Sequence, residues 1–108
     1  MYETLVSLLM ASGIPFQEYA WDQRPDSDYG VIALEGAGDT LAGNQHIQNQ
    51  AIEGSIDLYT HSNDREKAAT IQAILNSLDG CAWYLNSIQY EGDTRLIHWE
   101  WVFQLEAM

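Results

Sequence analysis

The sequence predicts an α+β fold, with an antiparallel sheet of about four to five strands flanked by two helices. Two segments place apolar residues at helical spacing, and several others alternate apolar and polar residues with the period of a strand. The predicted strands are joined by hairpins, which favours helices gathered on one face of the sheet over a doubly wound arrangement. The 108 residues suit a single domain spanning 1–108.

The first predicted helix is indicated by apolar residues at helical spacing, namely Tyr2, Leu5, Val6, Leu9 and Met10. Gly13 supplies the left-handed residue that often follows a helix, and Pro15 prevents its continuation. A short edge strand is predicted at 16–21, a polar turn at 22–28 and a strand at 29–34.

Residues 36–50 predict a long loop or flexible hairpin tip. The segment contains three glycines and a run of Asn and Gln without apolar periodicity. Loops of this length inside compact domains are uncommon and are usually functional. The residues that follow, 52–59, alternate as in a half-buried strand.

The second predicted helix covers 66–78. Asn63 and Glu66 have the spacing of a helix cap, and Gly80 ends the helix. Its buried stripe is Ala68, Ile71, Leu75 and Leu78, with Ile74 beside them. A strand at 83–90, a turn at 91–93 and the last strand form a predicted hairpin.

The last strand has one strongly aromatic face. It carries Ile97, Trp99, Trp101, Phe103 and Leu105 at every second position. Such a face is typical of a protein core or a subunit contact, because each ring buries a large apolar area. Parallel rings at Trp99 and Trp101 could also stack on a sugar, which is the less favoured interpretation.

The charge balance restricts the partners. Sixteen acidic residues face four Lys and Arg, a net charge of −12, so affinity for nucleic acid is not expected. The longest uncharged apolar stretch, 4–16, is too short to cross a bilayer and lacks signal-peptide features, which predicts a cytoplasmic protein without membrane contact. The single Cys81 agrees with a reducing compartment.

No cofactor, metal or catalytic site is predicted. His46, His61 and His98 lack zinc-ligand spacing, and the glycines at 36 and 38 lack the rest of a dinucleotide fingerprint. Glu53 and Asp57 share a strand face but are interpreted as solvent-facing side chains. His98 and Glu100 also share a face and could pair.

The order of segments resembles the small tail-terminator and tail-completion proteins of long-tailed bacteriophages and prophages. The residues that carry the resemblance are 13–16 (Gly-Ile-Pro-Phe), Pro25 with 29–31 (Tyr-Gly-Val), the long polar loop, 53–60 (Glu-Gly-Ser-Ile-Asp-Leu-Tyr-Thr), Asp64 at the helix start and the aromatic finish. The loop 36–50 is richer in Asn and Gln than this family leads one to expect.

The resemblance implies a non-enzymatic structural protein without a cofactor. It implies a hexameric ring of identical subunits in the virion tail, assembled in the host cytoplasm, which caps the tail tube and joins it to the head connector. The predicted contacts with neighbouring subunits or the tube are Leu41, His46, Ile47, Gln48, Trp99 and Trp101. An anionic lumen that lets DNA pass without tight binding is predicted from Glu35, Asp39, Glu53 and Asp57.

An acidic immunity or inhibitor protein that binds a basic toxin or nuclease is the alternative. Such proteins are also small, acidic and rich in aromatic residues. A DNA mimic fits less well, because its carboxylates would repeat at phosphate-like intervals on one face, whereas here they are spread from Glu3 to Glu106.

Overall fold

The computed structural model describes residues 1–40 and 50–106. Within these residues it has two helices and one sheet of five strands. The helices are α1 (Tyr2–Met10) and α2 (Glu66–Asn76). The strands are β1 (Phe16–Glu18), β2 (Tyr29–Thr40), β3 (Gln50–Thr60), β4 (Cys81–Glu91) and β5 (Leu96–Glu106). The predicted α+β class, with two helices and about five strands, is confirmed.

The strands lie side by side in the order β1-β2-β3-β5-β4. All neighbouring pairs are antiparallel except β1 and β2, which are parallel. The sheet is therefore mixed, and the prediction of an antiparallel sheet is wrong at β1. The reason is the connection 19–28, which carries the chain back far enough for β2 to start alongside β1 in the same direction, as parallel neighbours require.

The predicted loop at 36–50 is shorter than expected at both ends. Strand β2 continues through 36–40, where Gly36 pairs with Glu53 and Ala37 with Ile52, and β3 already begins at Gln50. The pairing shifts register on either side of Gly36 and Ala37, and Gly36 has φ of +147°. Such irregularities break the alternation that marks a strand in sequence. Residues 41–49 lie outside the described part of the chain.

The start of α2 differs from the predicted Asn63–Glu66 cap. Arg65 occupies the cap position, and Asp64 Oδ1 accepts a hydrogen bond from the backbone N–H of Glu66 at 3.0 Å. The carboxylate therefore satisfies a backbone donor that the first turn of a helix leaves unpaired. The helix ends at Asn76 rather than Leu78, and Gly80 follows with φ of +77°.

Both helices pack on the same face of the sheet, where they cover one apolar core. The aromatic face of β5 lies in this core, and both of its indole N–H groups are hydrogen-bonded: Trp99 Nε1 donates to Thr60 Oγ1 and Trp101 Nε1 to the side-chain oxygen of Gln72, each at 3.1 Å. Ile71 and Leu75 of α2 are fully buried, as predicted. Because α2 supplies both apolar contacts and a hydrogen-bond acceptor, the rings fix its position on the sheet.

Truncating the α2 face is expected to be costly. Ile71→Ala or Leu75→Ala should lower the free energy of unfolding by about 2–5 kcal/mol, because each leaves a cavity in a packed core. Urea denaturation would measure this. Leu8→Ala on the exposed side of α1 is the control and should cost far less, and equal losses at the three sites would contradict the assigned helix faces.

Gly54 should not tolerate a side chain. A Cβ there would overlap the backbone oxygen of Ala33 and the ring of Phe103. Gly54→Ala is expected to lower stability by about 1–3 kcal/mol through overpacking. At Gly92 no atom lies within 4 Å of a built Cβ, so Gly92→Ala should shift the denaturation midpoint little. A neutral Gly54→Ala would show that β2, β3 and β5 do not pack this closely.

Candidate functional site

A polar cluster occupies the open face of the sheet, the face opposite the helices. His98 lies at its centre, with Nε2 at 2.6 Å from Asp57 Oδ1 and Nδ1 at 3.1 Å from Glu91 Oε2. The ring of Tyr59 stacks on this imidazole at 4.4 Å between centroids, and Tyr29 stacks on Tyr59 at 4.8 Å. One stacked row of rings thus runs across β2, β3 and β5.

The cluster changes the acid–base behaviour of its members. The hydrogen bond to Asp57 raises the pKa of His98, and the charge of Glu91 acts in the same direction against the opposing effect of burial. Burial, together with the charge of Asp57, raises the pKa of Tyr59 to about 12. The arrangement therefore favours a protonated imidazole held between two carboxylates beside a neutral phenol.

Two further carboxylates on the open face bind amide side chains. Glu53 Oε1 accepts from Gln104 at 3.0 Å, and Glu100 Oε1 accepts from Asn86 at 2.7 Å. His98 does not pair with Glu100, the neighbour with which it shares a face, because Asp57 and Glu91 take both imidazole nitrogens. These carboxylates link neighbouring strands through hydrogen bonds to amide side chains.

The five strands contain acidic residues and no Lys or Arg. Their carboxylates belong to Glu18, Glu35, Asp39, Glu53, Asp57, Glu91, Glu100 and Glu106. The cations lie in the connections and in α2: Arg24, Arg65, Lys67 and Arg95. Among Asp, Glu, Lys and Arg, the five described strands therefore carry only acidic residues, and the imidazole of His98 is enclosed between two of their carboxylates.

A second cluster joins the start of β2 to α2. His61 Nδ1 lies 2.7 Å from Asp28 Oδ1, and Lys67 Nζ lies 3.3 Å from Asp28 Oδ2. Burial alone would raise the pKa of Asp28, but the hydrogen bonds from His61 and Lys67 outweigh it and hold that pKa below its usual range. These contacts hold the start of β2 against α2, and they pair Lys67, one of the four Lys and Arg residues, with a carboxylate.

Strand β4 forms one edge of the sheet and contains a bulge. Leu85 pairs with Trp101 and Ser87 with Glu100, so Asn86 is the extra residue between them. The bulge shifts the alternation by one residue. Leu85 and Ile88, three positions apart, consequently project to the same, helix-bearing side.

These two side chains line a pocket of about 250 Å³ between β4 and α2. Its other walls are Trp99, three residues of α2 and the exposed residue Arg65 at the helix start. Tyr84, Leu85, Ile88 and Tyr90 of β4 are all exposed, Tyr90 to 66%. We call Leu85, Ile88, Tyr90 and this pocket the β4 edge patch, an apolar surface on an edge strand.

The structure corrects the predicted contact role of two tryptophans. Trp99 and Trp101 are only 4% and 0% exposed, so their rings belong to the core of the chain itself and do not form an exposed aromatic contact face or a sugar platform; Trp99 reaches the surface only as one wall of the β4 pocket. The other predicted contact residues, Leu41, His46, Ile47 and Gln48, lie outside the described part of the chain.

The predicted lumen residues occupy different places. Glu53 and Asp57 lie on the open face and are hydrogen-bonded to Gln104 and His98. Glu35 is exposed at the first register shift of β2, and Asp39 falls near the end of that strand. The four residues therefore do not form one compact cluster.

Other chemistry is sparse in the described residues. No group of His, Cys, Asp and Glu in 1–40 or 50–106 is arranged to hold a metal ion. Burial raises the pKa of the Cys81 thiol, which works against thiolate formation. Neither described helix is long and apolar enough to cross a membrane.

The chain matches no known protein-family model. It also matches no curated protein.

Sequence reasoning missed the β4 edge patch. The signal available was the run 81–90, ten residues without a charge in a chain of net charge −12. The sequence does not reveal that β4 is an edge strand, nor that a bulge turns Leu85 and Ile88 to one side, because both depend on pairing with β5.

The His98 cluster should make stability depend on pH in one direction. Because the pKa of His98 is raised on folding, its contribution is present below the unfolded value near 6.5 and is lost as pH rises through the folded value. The wild-type chain should therefore exceed His98→Gln in unfolding free energy more at about pH 6 than at about pH 9.

Denaturation at the two pH values would measure the difference. Gly92→Ala, which changes no titratable group and leaves its surroundings free of overlap, is the control and should show the same unfolding free energy relative to wild type at both pH values. A wild-type advantage that grows toward alkaline pH would contradict the assigned role of His98.

Proposed function

We propose that this chain is a structural subunit of a phage or prophage tail. It acts as a tail-terminator or tail-completion protein, a non-enzymatic role without a cofactor. Its copies form a ring, with six subunits as the family resemblance implies. In this proposal the ring caps the tail tube and joins it to the head connector in the virion, after assembly in the host cytoplasm.

The observation that carries the proposal is the one-sided charge of the sheet. Each of the five strands carries at least one carboxylate, Lys and Arg are absent from them, and the imidazole of His98 is already paired with Asp57 and Glu91. A surface of this kind repels the phosphate backbone, and it offers no unpaired Lys, Arg or imidazolium that could replace the counterions of DNA. Repeated around a ring, it suits a channel through which DNA moves without binding.

The β4 edge patch supports assembly into a larger object. It exposes Leu85, Ile88 and Tyr90 on a strand of 11 residues that has a neighbour on one side only among the described strands. Exposed apolar edge strands are ready to pair with another chain. A ring subunit needs such a surface, since it must contact the neighbour on each side.

The test is removal of the gene from its phage or prophage. Electron microscopy should then show heads and tails that fail to join, with tails of abnormal length. The wild-type gene supplied in trans should restore infectious particles, and Gly92→Ala should restore them equally well. Normal particles made without the protein would overturn the proposal.

The acidic face can be tested separately. Glu53→Lys with Glu100→Lys should lower the yield of infectious particles, because cations on the wall would retain the passing DNA. Asp22→Lys with Asp26→Lys makes the same change of net charge in the exposed connection before β2 and is the control. After circular dichroism has shown both variants to be folded, equal particle yields would contradict the proposed channel wall.

The purified wild-type chain is expected not to bind duplex DNA. Its net charge of −12 opposes the phosphates, and its four cations are scattered. A gel-shift titration at physiological salt would measure this, and a lower-salt titration should also show no complex. A complex that weakens as salt rises would count against the charge argument.

The same open face also supports a second proposal, an immunity or inhibitor protein. The carboxylates of Asp57 and Glu91, which lie close to the partly exposed ring of Tyr59, would complement a basic surface on a toxin. Neighbouring genes separate the two proposals. Tube, portal and tape-measure genes favour the tail protein, while a single nuclease gene that the chain neutralises on co-expression favours the inhibitor.

A further inference from the structure

We infer that the β4 edge patch docks onto the free edge of strand β2 in a second copy of this chain, so that the sheet continues from one subunit into the next. That β4 of one copy meets β2 of the next, rather than β4 meeting β4, rests on the proposed ring of subunits. The identity of the two edges rests on their pairing, charge and exposure.

The first of the two edges is β4, whose outer side is uncharged and exposes apolar side chains. Residues 81–90 of β4 carry no charge, and Leu85, Ile88 and Tyr90 expose apolar surface beside a pocket of about 250 Å³. The backbone groups on the outer side of β4 have no partner strand in the described part of the chain. An added strand would satisfy these groups and place alternate side chains over the pocket.

A second copy suits this surface better than a basic partner. Two molecules that each carry a net charge of −12 repel one another over most of their surface. They can approach each other where one of the two surfaces has no carboxylate, as along residues 81–90 of β4. An edge that had to attract a basic protein would instead place acidic residues at the contact.

The second edge is the outer side of β2 from Ala33 to Thr40. Strand β1 pairs only with residues 30–32 of β2, so from Ala33 to Thr40 the outer side of β2 has no partner among the described strands. Strand β1 itself has only 3 residues, too few to match the 11 of β4. The distal part of β2 offers a longer edge, and it carries the exposed Glu35.

Charge favours this pairing of unlike edges. Arg65 stands at the rim of the β4 pocket, is exposed, and makes no ion pair within residues 1–40 and 50–106. Glu35 on the incoming β2 would supply its counter-charge. A two-fold pairing of β4 with β4 would instead bring two Arg65 side chains together beside the middle of the strand, an unfavourable contact.

The first experiment measures self-association of the full chain by native mass spectrometry and sedimentation from micromolar to millimolar concentration. The wild type should form species larger than a dimer as concentration rises. Leu85→Lys should remove them, while Leu8→Lys on α1 should not. Leu85 and Leu8 are both 37% exposed, which makes the two variants a matched pair.

The second experiment exchanges the charges across the contact. Arg65→Glu and Glu35→Arg should each weaken association at least about tenfold, and the double variant should recover most of the loss, as expected for a directly coupled pair. Circular dichroism would establish that every variant is folded.

Three outcomes of the solution experiments would overturn the inference. These are a wild type that stays monomeric to millimolar concentration, a wild type that stops at a dimer insensitive to Glu35→Arg, and equal effects of the two leucine variants. Particle assembly distinguishes this inference from the proposed function. If the Leu85→Lys chain still gave joined, infectious particles, the proposed β4–β2 contact would be wrong while the proposed tail function could stand. If normal particles formed without the gene, the tail function would be wrong while the β4–β2 contact could stand.

Discussion

Burial of the tryptophans of β5 is the constraint on which the rest of the structure depends. Trp99 and Trp101 lie nearly parallel at 6.3 Å between centroids and bring two indole N–H groups into the interior. A buried donor without an acceptor is costly, so each ring needs a partner at a defined place. Thr60 at the end of β3 and Gln72 on α2 provide them. The position of α2 across the sheet follows from this requirement.

That position gives the two sides of the molecule different characters. Because the helices cover only one face, the other face is left with the side chains that alternate with the core, and these form the His98 cluster and the amide–carboxylate pairs. Toward β4 the cover of α2 ends, which leaves the pocket lined by Leu85 and Ile88. The carboxylate-rich open face and the pocket beside β4 are thus two results of one packing arrangement.

Sequence periodicity was sufficient for most of the fold, and its failures have physical causes. The buried faces of α2 and β5 could be predicted because each repeats a single period over three or more turns or pairs. The parallel orientation of β1 could not be predicted, because it depends on where the connection 19–28 returns the chain. The length of β2 could not be predicted either, because it depends on register shifts near Gly36. Alternation also cannot tell whether an aromatic face is covered by a helix of the same chain or by a partner, which is why it predicts a contact role for Trp99 and Trp101 that the structure does not support. Of the candidate site, the acidic residues were visible in sequence, whereas the β4 edge patch required the bulge at Asn86.

Among the described strands, β4 pairs with β5 alone, and this affects how the sheet opens locally. A strand with a single neighbour can separate locally without disturbing β2 and β3, so its amide protons exchange with solvent through smaller fluctuations than those of the central strands. A partner strand laid against β4 would close that route. The rigidity of this edge would then belong to the assembled state, and amide exchange in β4 would distinguish a free subunit from an assembled one.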